Sequence, residues 1–515
     1  MNGAEALMSV AKQAGIEICF ANPGTTEMPM VMAMDSEPGI RPVLCLHENV
    51  CSGAADSYGR LAGKPAMTIT HLGPGFANSC ANQHNARRAF SPVFNVIGQH
   101  ATWHYDADAP LGMDILGLAG TVSDWVRETE STATVAQDIV DGITFALGQR
   151  GKVASLSFPH DHQDADVSAN PVLGTPEPLG AIDGKLVDEA CAALKNNKKT
   201  ALLLGGTALK EPGLMLAAKL KAAHGCDLII EGAFSLMECG AGLPDHIRMP
   251  YPPEPAQALM DSYEQVIVIG TKLPVSFFGW PGGAPSQYLR GRDGVVHVAG
   301  QTDDAVAALD GIVQGTGAAG ATPSVTSLEV PEIAPGKLTP DSLCQTFTAL
   351  QPENAVVVPT AVTTGRLYGP MSTKLPRHTQ ISLCGGAIGE GPALALGAAM
   401  ACPDRPVLNL QADGSGAYLP QAFWSQAREG ANITTVICSN RKYQILIGEM
   451  TRAGMNQPGE HSMALTELNN PPLDWVAIAK GFGVPGELVS TGEELAAAMQ
   501  RGMATPGPYL IEAVI

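Results

Sequence analysis

Charged residues are scarce in this 515-residue chain: they make up 16% of it, whereas hydrophobic residues make up 45%. Disordered chains have the opposite balance, so this composition predicts compact globular domains with a large buried surface. Basic residues are in especially short supply, with 31 Lys and Arg against 50 Asp and Glu and a net charge of −19. Because binding to nucleic acid needs a basic face, we do not expect nucleic acid as a partner.

Paired cysteine motifs and long apolar segments are also missing. The 11 cysteines include no C-x-x-C pair, and most lie within apolar runs, as Cys19 does. Scattered cysteines of this kind predict a reduced intracellular protein. No uninterrupted apolar window reaches the roughly 18 residues of a membrane span, and the N-terminus lacks the basic segment and apolar core of a secretory signal. We therefore expect a cytoplasmic protein without a membrane partner.

Short apolar runs rich in β-branched residues recur along the whole chain and alternate with helical stretches rich in Ala and Leu. Continuous apolar runs bounded by Gly, Pro or Asn are typical of strands that are buried on both faces. Their alternation with helices predicts α/β domains, doubly wound, with mostly parallel sheets. The runs are 16–24, 92–99, 152–159, 200–206, 265–271, 355–362, 406–414 and 433–440.

Two stretches interrupt this alternation. Residues 164–184 and 315–336 are rich in Pro, Gly and Ala and lack a core-forming period, so we interpret both as linkers. A chain of 515 residues is also too long for one hydrophobic core. We therefore predict three α/β domains over residues 1–165, 182–315 and 337–515.

Two of the predicted strands end in oxygen-bearing side chains. The run at 406–414 ends in Asp413-Gly414, and the run at 433–440 ends in Asn440. If residues 420–430 form a crossover helix between adjacent strands, both side chains emerge at the same edge of the sheet. A carboxylate and an amide oxygen there, with a backbone carbonyl and diphosphate oxygens, would make an octahedral Mg²⁺ site. The alternative is that each residue simply caps the next element.

A second carboxylate of interest is Glu48, which follows the apolar residues 43–46 and opens a helix rich in Ala and Gly. The helix dipole favours a carboxylate at this position, so capping is again the alternative interpretation.

The spacing of Asp413-Gly414 and Asn440 resembles the signature of thiamine-diphosphate-dependent enzymes, usually written as GDG followed, one crossover helix later, by NN. Residues 14–29, 47–60 and 70–99 are similar in order and spacing to the pyrimidine-binding domain of that family. Two positions depart from the signature, because Ala412 replaces the first Gly and Ser439 replaces the first Asn. The chain looks most like acetolactate synthases and benzoylformate decarboxylases, and the resemblance implies pyrimidine-binding, middle and diphosphate-binding domains in that order.

The resemblance also implies roles for individual residues. Asp413, Asn440 and the backbone of Lys442 would hold the metal, and Glu48 would activate the cofactor by hydrogen bonding to its pyrimidine ring. His71 and Thr25 match a histidine and a serine of the decarboxylase pocket, and the bulky side chain beneath the cofactor would be Ile388, for which a core position is the alternative. The remaining positions expected near the cofactor are Asn22, Pro23, Gly24, Gly75, Asn78, Thr363, Gly386, Gly414, Ser415 and Tyr443.

The expected reaction is decarboxylation of a small-molecule 2-oxo acid with thiamine diphosphate and Mg²⁺, followed by carboligation as in acetolactate synthases. The alternative is a decarboxylase that releases an aldehyde, and a non-catalytic family paralogue is a third hypothesis. A nucleotide-dependent dehydrogenase would need G-x-G-x-x-G after a strand, and residues 385–391 match that motif poorly. The chain matches each of the two leading families only in part. By the resemblance, the second pocket histidine of the decarboxylase would fall near Phe277-Phe278, where no histidine stands. Residues 97–115 lack the Phe-Gln pair of acetolactate synthases.

Two further expectations come from the resemblance alone. Acetolactate synthases often bind FAD in the middle domain, but residues 182–315 contain no clear flavin motif, so FAD remains possible without support from a motif. The two halves of each site in this family come from different subunits, which implies at least a homodimer and commonly a homotetramer.

Overall fold

The computed structural model describes residues 1–167, 171 and 173–515. It contains three mostly parallel sheets of six, five and seven strands, covered by helices, so the predicted α/β class is confirmed. Each of the predicted apolar runs contains a strand. The linker predicted at 164–184 includes residues 168–170 and 172, which lie outside the described residues. The predicted domain boundaries remain predictions.

The first sheet, with strand order β2-β1-β3-β4-β6-β5, is parallel throughout. Side chains alternate along its strands, so Ile18 and Phe20 enter one core and Cys19 and Ala21 enter another. The elements of this region are α1 (Gly3–Gln13), β1 (Ile18–Asn22), α2 (Met28–Ser36), β2 (Arg41–Leu44), α3 (Glu48–Ala62), β3 (Ala66–His71), α4 (Leu72–Ala89), β4 (Val93–Gln99), α5 (Ile115–Val122), β5 (Trp125–Glu128), α6 (Val135–Ala146), β6 (Val153–Pro159) and α7 (His160–Asp164), with short 3₁₀ turns at Thr25–Glu27 and Thr102–Ala107.

The second sheet lies in the middle of the chain and has the order β10-β8-β7-β11-β12. Leu202 and Leu204 pack on one of its faces and Ala201 and Leu203 on the other. The elements of this part of the chain are α8 (Gly184–Lys195), β7 (Thr200–Leu204), α9 (Glu211–His224), β8 (Asp227–Ile230), β9 (Leu236–Cys239), β10 (Ile247–Arg248), α10 (Pro253–Asp261), β11 (Gln265–Ile269), β12 (Val295–Ala299) and α11 (Ala305–Thr316), with 3₁₀ turns at Gly206–Leu209 and Ala318–Gly320.

The third sheet has the order β17-β18-β16-β15-β13-β14-β9. Its central strands β15 and β16 are parallel neighbours joined by α16, as the crossover interpretation of residues 420–430 predicted. The elements of this region are α12 (Pro340–Ala349), β13 (Ala355–Pro359), α13 (Tyr368–Ser372), β14 (His378–Ile381), α14 (Gly391–Ala401), β15 (Val407–Ala412), α15 (Asp413–Gly416), α16 (Gln421–Glu429), β16 (Ile433–Ser439), α17 (Gln444–Arg452), α18 (Glu460–Ala464), α19 (Trp475–Gly481), β17 (Gly486–Val489), α20 (Gly492–Ala504) and β18 (Tyr509–Val514), with a 3₁₀ turn at Thr364–Leu367.

Two features join the sheets to one another. Strand β9 lies in the middle of the sequence, yet it pairs antiparallel with β14 of the third sheet, with Cys239 opposite His378. Helices α3 and α14 share one core with strands of the first and third sheets. At Gly397 a side chain would run into the carbonyl oxygen of Ala54, so glycine is needed for this close helix contact. The first and third regions are therefore packed together through a common core.

Among the described residues, no helix has the length and hydropathy of a membrane-spanning segment. All 11 cysteines are unpaired, and each is buried or half-buried.

Candidate active site

The first half of the candidate site lies at the carboxyl edge of the first sheet and centres on Glu48. This residue begins α3 just beyond the end of β2, and it is only 7% exposed. Asn78 of α4 donates a hydrogen bond from Nδ2 to Glu48 Oε2 at 3.0 Å. A Cβ atom on Gly75 would lie 3.2 Å from Glu48 Oε1, so the glycine leaves room beside the carboxylate. Glu48 is thus a buried carboxylate with one amide partner and an open side.

His71 lies beside this carboxylate at the end of β3 and is paired with Glu27. The imidazole Nδ1 lies 2.7 Å from Glu27 Oε2, and Thr26 donates a hydrogen bond to Glu27 Oε1 at 2.6 Å. Glu27 is fully buried, and it also accepts a hydrogen bond from the Gly24 amide at 2.6 Å. These contacts fix the imidazole orientation and leave Nε2 as the nitrogen that can exchange a proton with a ligand.

The sequence interpretation missed Glu27, although it identified the residues around it. The available signal was one acidic residue in the short segment between β1 and α2. A glutamate in such a segment could equally be a solvated surface residue, so the sequence alone does not indicate its role. Its importance comes from β4: Gly98 pairs with His71 across the sheet, and its lack of a side chain leaves the space that the Glu27 carboxylate fills.

Two histidines beyond β4 extend this group of polar side chains. The rings of His100 and His104 are 5.4 Å apart in an edge-to-face arrangement. Burial and the neighbouring His104 and His71 lower the pKa of His100. His100 therefore favours its neutral form, in which one ring nitrogen accepts and the other donates.

The second half of the candidate site lies at the carboxyl edge of the third sheet. Asp413 begins α15 directly after β15, and Asn440 directly follows β16. The buried Asp413 accepts hydrogen bonds from the amides of Gly414 at 2.8 Å and Arg441 at 2.5 Å. Burial raises the pKa of Asp413, and these two amides oppose the rise. A cavity of about 570 Å³ opens at the turn after β16, lined by residues that include Asn440, Arg441 and Lys442.

The segment 385–391 packs against α15, the short helix that begins at Asp413. Gly389 has a φ of +93°, and a side chain there would collide with Tyr418. Gly386 has a φ of +83°, and a Cβ atom on it would lie 2.8 Å from Cζ of Phe277. Ile388, between these glycines, is 39% exposed and does not belong to the core. The glycines thus produce a turn that presents one bulky apolar side chain on the surface.

The structure brings the predicted residues together in two groups. The first group surrounds Glu48 and His71 and includes the exposed Thr25, which begins the turn after β1. The second surrounds Asp413, where Tyr443 packs against Gly414 and Ser415 donates a hydrogen bond to Gln411 Oε1 at 2.7 Å. Thr363 lies beyond the end of β13, on the same edge as the second group. Of the other predicted residues, Gly24 packs against the His71 ring and Gly75 and Asn78 border Glu48, whereas Asn22 and Pro23 lie at the end of β1 on the same edge of the sheet.

Among the described residues, no cluster of three or more His, Cys, Asp or Glu side chains is suited to a metal. A metal beside Asp413 would therefore depend on amide and carbonyl oxygens in addition to the single carboxylate. Asn440 Oδ1 and the Lys442 carbonyl belong to the turn that directly follows β16. Such an all-oxygen donor set is the kind that Mg²⁺ prefers.

The two parts of the chain that carry the half-sites both match family models. Residues 1–118 match the family model for the thiamine pyrophosphate enzyme N-terminal TPP binding domain, and residues 363–513 match the model for the C-terminal TPP binding domain. The chain is 42% identical over 520 residues to the Mycobacterium tuberculosis protein named "Putative acetolactate synthase large subunit IlvX", covering 100% of this chain and 99% of that protein.

More distant similarities also extend over the whole chain. Identity to the benzoylformate decarboxylase of Pseudomonas aeruginosa is 26%, covering 98% of this chain and 97% of that enzyme. The thiamine diphosphate-dependent 4-hydroxybenzoylformate decarboxylase of Rhodococcus jostii RHA1 has the same fold, with a TM-score of 0.86 at 22% identity over 99% of this chain and 98% of that one. The chain therefore belongs to the thiamine pyrophosphate enzyme family.

Proposed function

We propose that this enzyme uses thiamine diphosphate and Mg²⁺ to decarboxylate a 2-oxo acid and releases the product as an aldehyde. The observation that carries the proposal is the arrangement of Glu48, His71 and Glu27 at one edge of the first sheet. Glu48 and His71 both border Gly75, where a Cβ atom would lie 3.2 Å from Glu48 Oε1 and 3.4 Å from His71 Cβ. A cofactor-activating carboxylate and a proton-transferring imidazole would thus act side by side.

The second half-site fits the cofactor's diphosphate and its metal. Asp413, Asn440 and the Lys442 carbonyl would hold Mg²⁺, because all three offer oxygen atoms at the ends of neighbouring strands. Gly414 leaves room for the Tyr443 ring beside this site, since a Cβ atom on it would lie 2.5 Å from Cε1 of Tyr443. Ile388 would support the cofactor rings, a role that fits an apolar side chain left exposed in a single chain.

Each side chain then has a defined task. The bound cofactor supplies the nucleophilic carbon and the electron sink for decarboxylation. Glu48 presents its carboxyl group at a fixed position, where the Asn78 amide orients it. Glu27 orients His71, whose Nε2 would deliver the proton that completes aldehyde release.

Carboligation in the manner of acetolactate synthases is the second candidate function. It is favoured by the 42% identity to a relative named as an acetolactate synthase large subunit. The His71–Glu27 pair favours aldehyde release instead, because it holds an imidazole, a group that can transfer a proton, in a fixed orientation beside Glu48.

An aromatic cluster supports a substrate with a bulky apolar group. The ring centroids of Phe277 and Phe278 lie 4.9 Å apart, and those of Phe277 and Tyr251 lie 5.4 Å apart. Both phenylalanines are 52% exposed, so they do not belong to the core of the middle region. Phe277 packs on Gly386, in the turn that carries Ile388. The cluster thus borders the second half-site, and we propose that it binds the apolar side of the substrate.

The test is to incubate the purified enzyme, thiamine diphosphate and Mg²⁺ with pyruvate, 2-oxobutyrate, benzoylformate and 4-hydroxybenzoylformate, with and without benzaldehyde as acceptor. We expect an aldehyde from an aromatic acid, formed at least about tenfold faster than any product from pyruvate, as expected for a desolvated aromatic contact. Products are identified by mass spectrometry, and omission of Mg²⁺ is the control. Acetolactate from pyruvate as the main product would favour the second candidate, and no turnover of any 2-oxo acid would contradict both.

Replacing His71 with asparagine should reduce kcat by about 100-fold, because a proton donor is lost, while the affinity for thiamine diphosphate changes little. Glu27→Gln should reduce kcat less, since the imidazole remains but its orientation is weakened. Steady-state kinetics and calorimetric cofactor titration measure the two quantities. His224→Asn, on α9 of the middle region, is the matched control and should behave as the wild type. Unchanged kcat in the His71 variant would reduce that histidine to a structural role.

We also propose that the enzyme is at least a homodimer, with each site built from two chains. Large apolar side chains are exposed on the segments that carry both half-sites: Met32 on α2 and Leu46 two residues before Glu48, at 64% and 43%, and Val362 after β13 and Tyr418 after α15, both at 54%. Apolar surface of this kind around a functional site indicates an interface with another protein.

A further inference from the structure

The middle region has the strand order of a nucleotide-binding fold. Its parallel sheet begins with β7, continues outwards to β8 and β10 on one side, and continues to β11 and β12 on the other. In an open sheet of this topology, a dinucleotide binds where the order reverses, at the carboxyl ends of the first strand and its neighbour on the far side. Here that position is the crevice between the ends of β7 and β11.

This crevice is filled by the protein's own atoms. The loops after β7 and β11 are in direct contact, since a Cβ atom on Gly206 would lie 2.8 Å from the Gly270 carbonyl oxygen. Gly205 is equally confined, because its Cβ would lie 2.6 Å from Thr271 Cβ and 2.7 Å from Glu231 Cδ. A diphosphate needs an open approach to these backbone groups, which the packing removes.

The hydrogen-bond donors of the crevice are also occupied. Glu231, just beyond β8, accepts a hydrogen bond from the Gly206 amide at 3.1 Å through Oε1. Its Oε2 accepts one from the Thr271 hydroxyl at 2.6 Å. The Gly206 amide and the Thr271 hydroxyl are the groups that would face a phosphate at this position. The Glu231 carboxylate thus takes the place of the phosphate.

Arg150, a residue of the first region, contacts the loops around this crevice. Its guanidinium donates hydrogen bonds to the Gln301 carbonyl at 3.1 Å and to Ser235 Oγ at 3.0 Å. It also stacks over the ring of Phe90, with Cζ 4.5 Å from the centroid. Arg150 thus links an aromatic side chain of the first region to the loop that follows β12.

We infer that the middle region does not hold FAD, and that Glu231 and Arg150 have converted its nucleotide crevice into a fixed contact between the first and middle regions. The flavin that the resemblance to acetolactate synthases left possible does not fit the residues present. The inference depends on the packing of this crevice and not on which 2-oxo acid the enzyme uses.

The test uses the full-length enzyme purified without added flavin. Its absorbance near 450 nm is recorded, and any flavin released on denaturation is measured by fluorescence. Melting curves are then recorded with excess FAD, with ADP, and with thiamine diphosphate plus Mg²⁺. We expect no flavin band and no change in melting temperature with FAD or ADP. About one flavin per chain, or a saturable rise in melting temperature with FAD or ADP, would overturn the inference.

The thiamine diphosphate sample separates this inference from the proposed function. A rise in melting temperature there is expected, and its absence would count against the proposed function without affecting the flavin result.

Arg150→Ala should lower the melting temperature by roughly 2–5 °C through the loss of its two hydrogen bonds and its stacking. The exposed Arg290 of the same sheet region provides the control variant Arg290→Ala. If the two variants had the same melting temperature, Arg150 would not contribute to the contact between the first and middle regions.

Discussion

Glu48→Gln is expected to reduce turnover by about 10²–10⁴-fold while the affinity for thiamine diphosphate stays within a few fold of the wild type. Glutamine has nearly the same shape, so it can still contact Asn78 and fill the space beside Gly75. It cannot carry the negative charge that cofactor activation needs. Initial rates with the accepted 2-oxo acid and calorimetric titration of the cofactor measure the two effects separately.

The matched control for this variant is Glu5→Gln. Glu5 also lies in the first turn of a helix, α1, where it takes part in a capping box with Asn2. If Glu48 served only to cap α3, both substitutions would cost about 0.3–1 kcal/mol of stability and neither would change turnover. Unchanged turnover in the Glu48 variant would therefore return this residue to a purely structural role.

The strands and the two half-sites were predictable because local sequence determines them. Continuous apolar runs that end in Gly, Pro or Asn mark buried parallel strands, and the runs at 200–206 and 433–440 became β7 and β16 with only their ends shortened. Asp413 and Asn440 could be placed together for the same reason, since neighbouring parallel strands bring their carboxyl ends to one edge.

The features that sequence did not indicate all depend on contacts between distant segments. Strand β9 is only four residues long and contains Glu238, so it has no continuous apolar run, and its pairing with β14 is decided by tertiary packing. The Glu27–His71 pair joins residues from two different strand ends. The position of Arg150 depends on how the first and middle regions meet, which no local pattern specifies.

Asp413→Asn is expected to weaken Mg²⁺-dependent binding of thiamine diphosphate by at least about 100-fold, because the only carboxylate of the proposed metal site is lost. The substitution keeps an oxygen that can accept from the Gly414 or Arg441 amide, so the turn itself should persist. Calorimetry at several Mg²⁺ concentrations measures the change. Asp474→Asn is the control, since Asp474 caps α19 in the same region by accepting from the Ala477 amide at 2.9 Å. Normal cofactor retention in the Asp413 variant would contradict the metal assignment.

The same two variants determine whether a site is built from one chain or two. Glu48 is held by Asn78 of the first region, and Asp413 by the amides of Gly414 and Arg441 in the third. If each site takes its carboxylates from different chains, a mixed dimer of Glu48→Gln and Asp413→Asn contains one intact site and one doubly altered site. Random reassociation of equal amounts of the two variants, assayed at a cofactor concentration too low to load the Asp413 variant, should then restore about a quarter of wild-type activity. If both carboxylates of a site came from one chain, every site in the mixture would carry one substitution and no activity would return. Recovery of activity on mixing would thus establish that Glu48 and Asp413 act across a subunit interface.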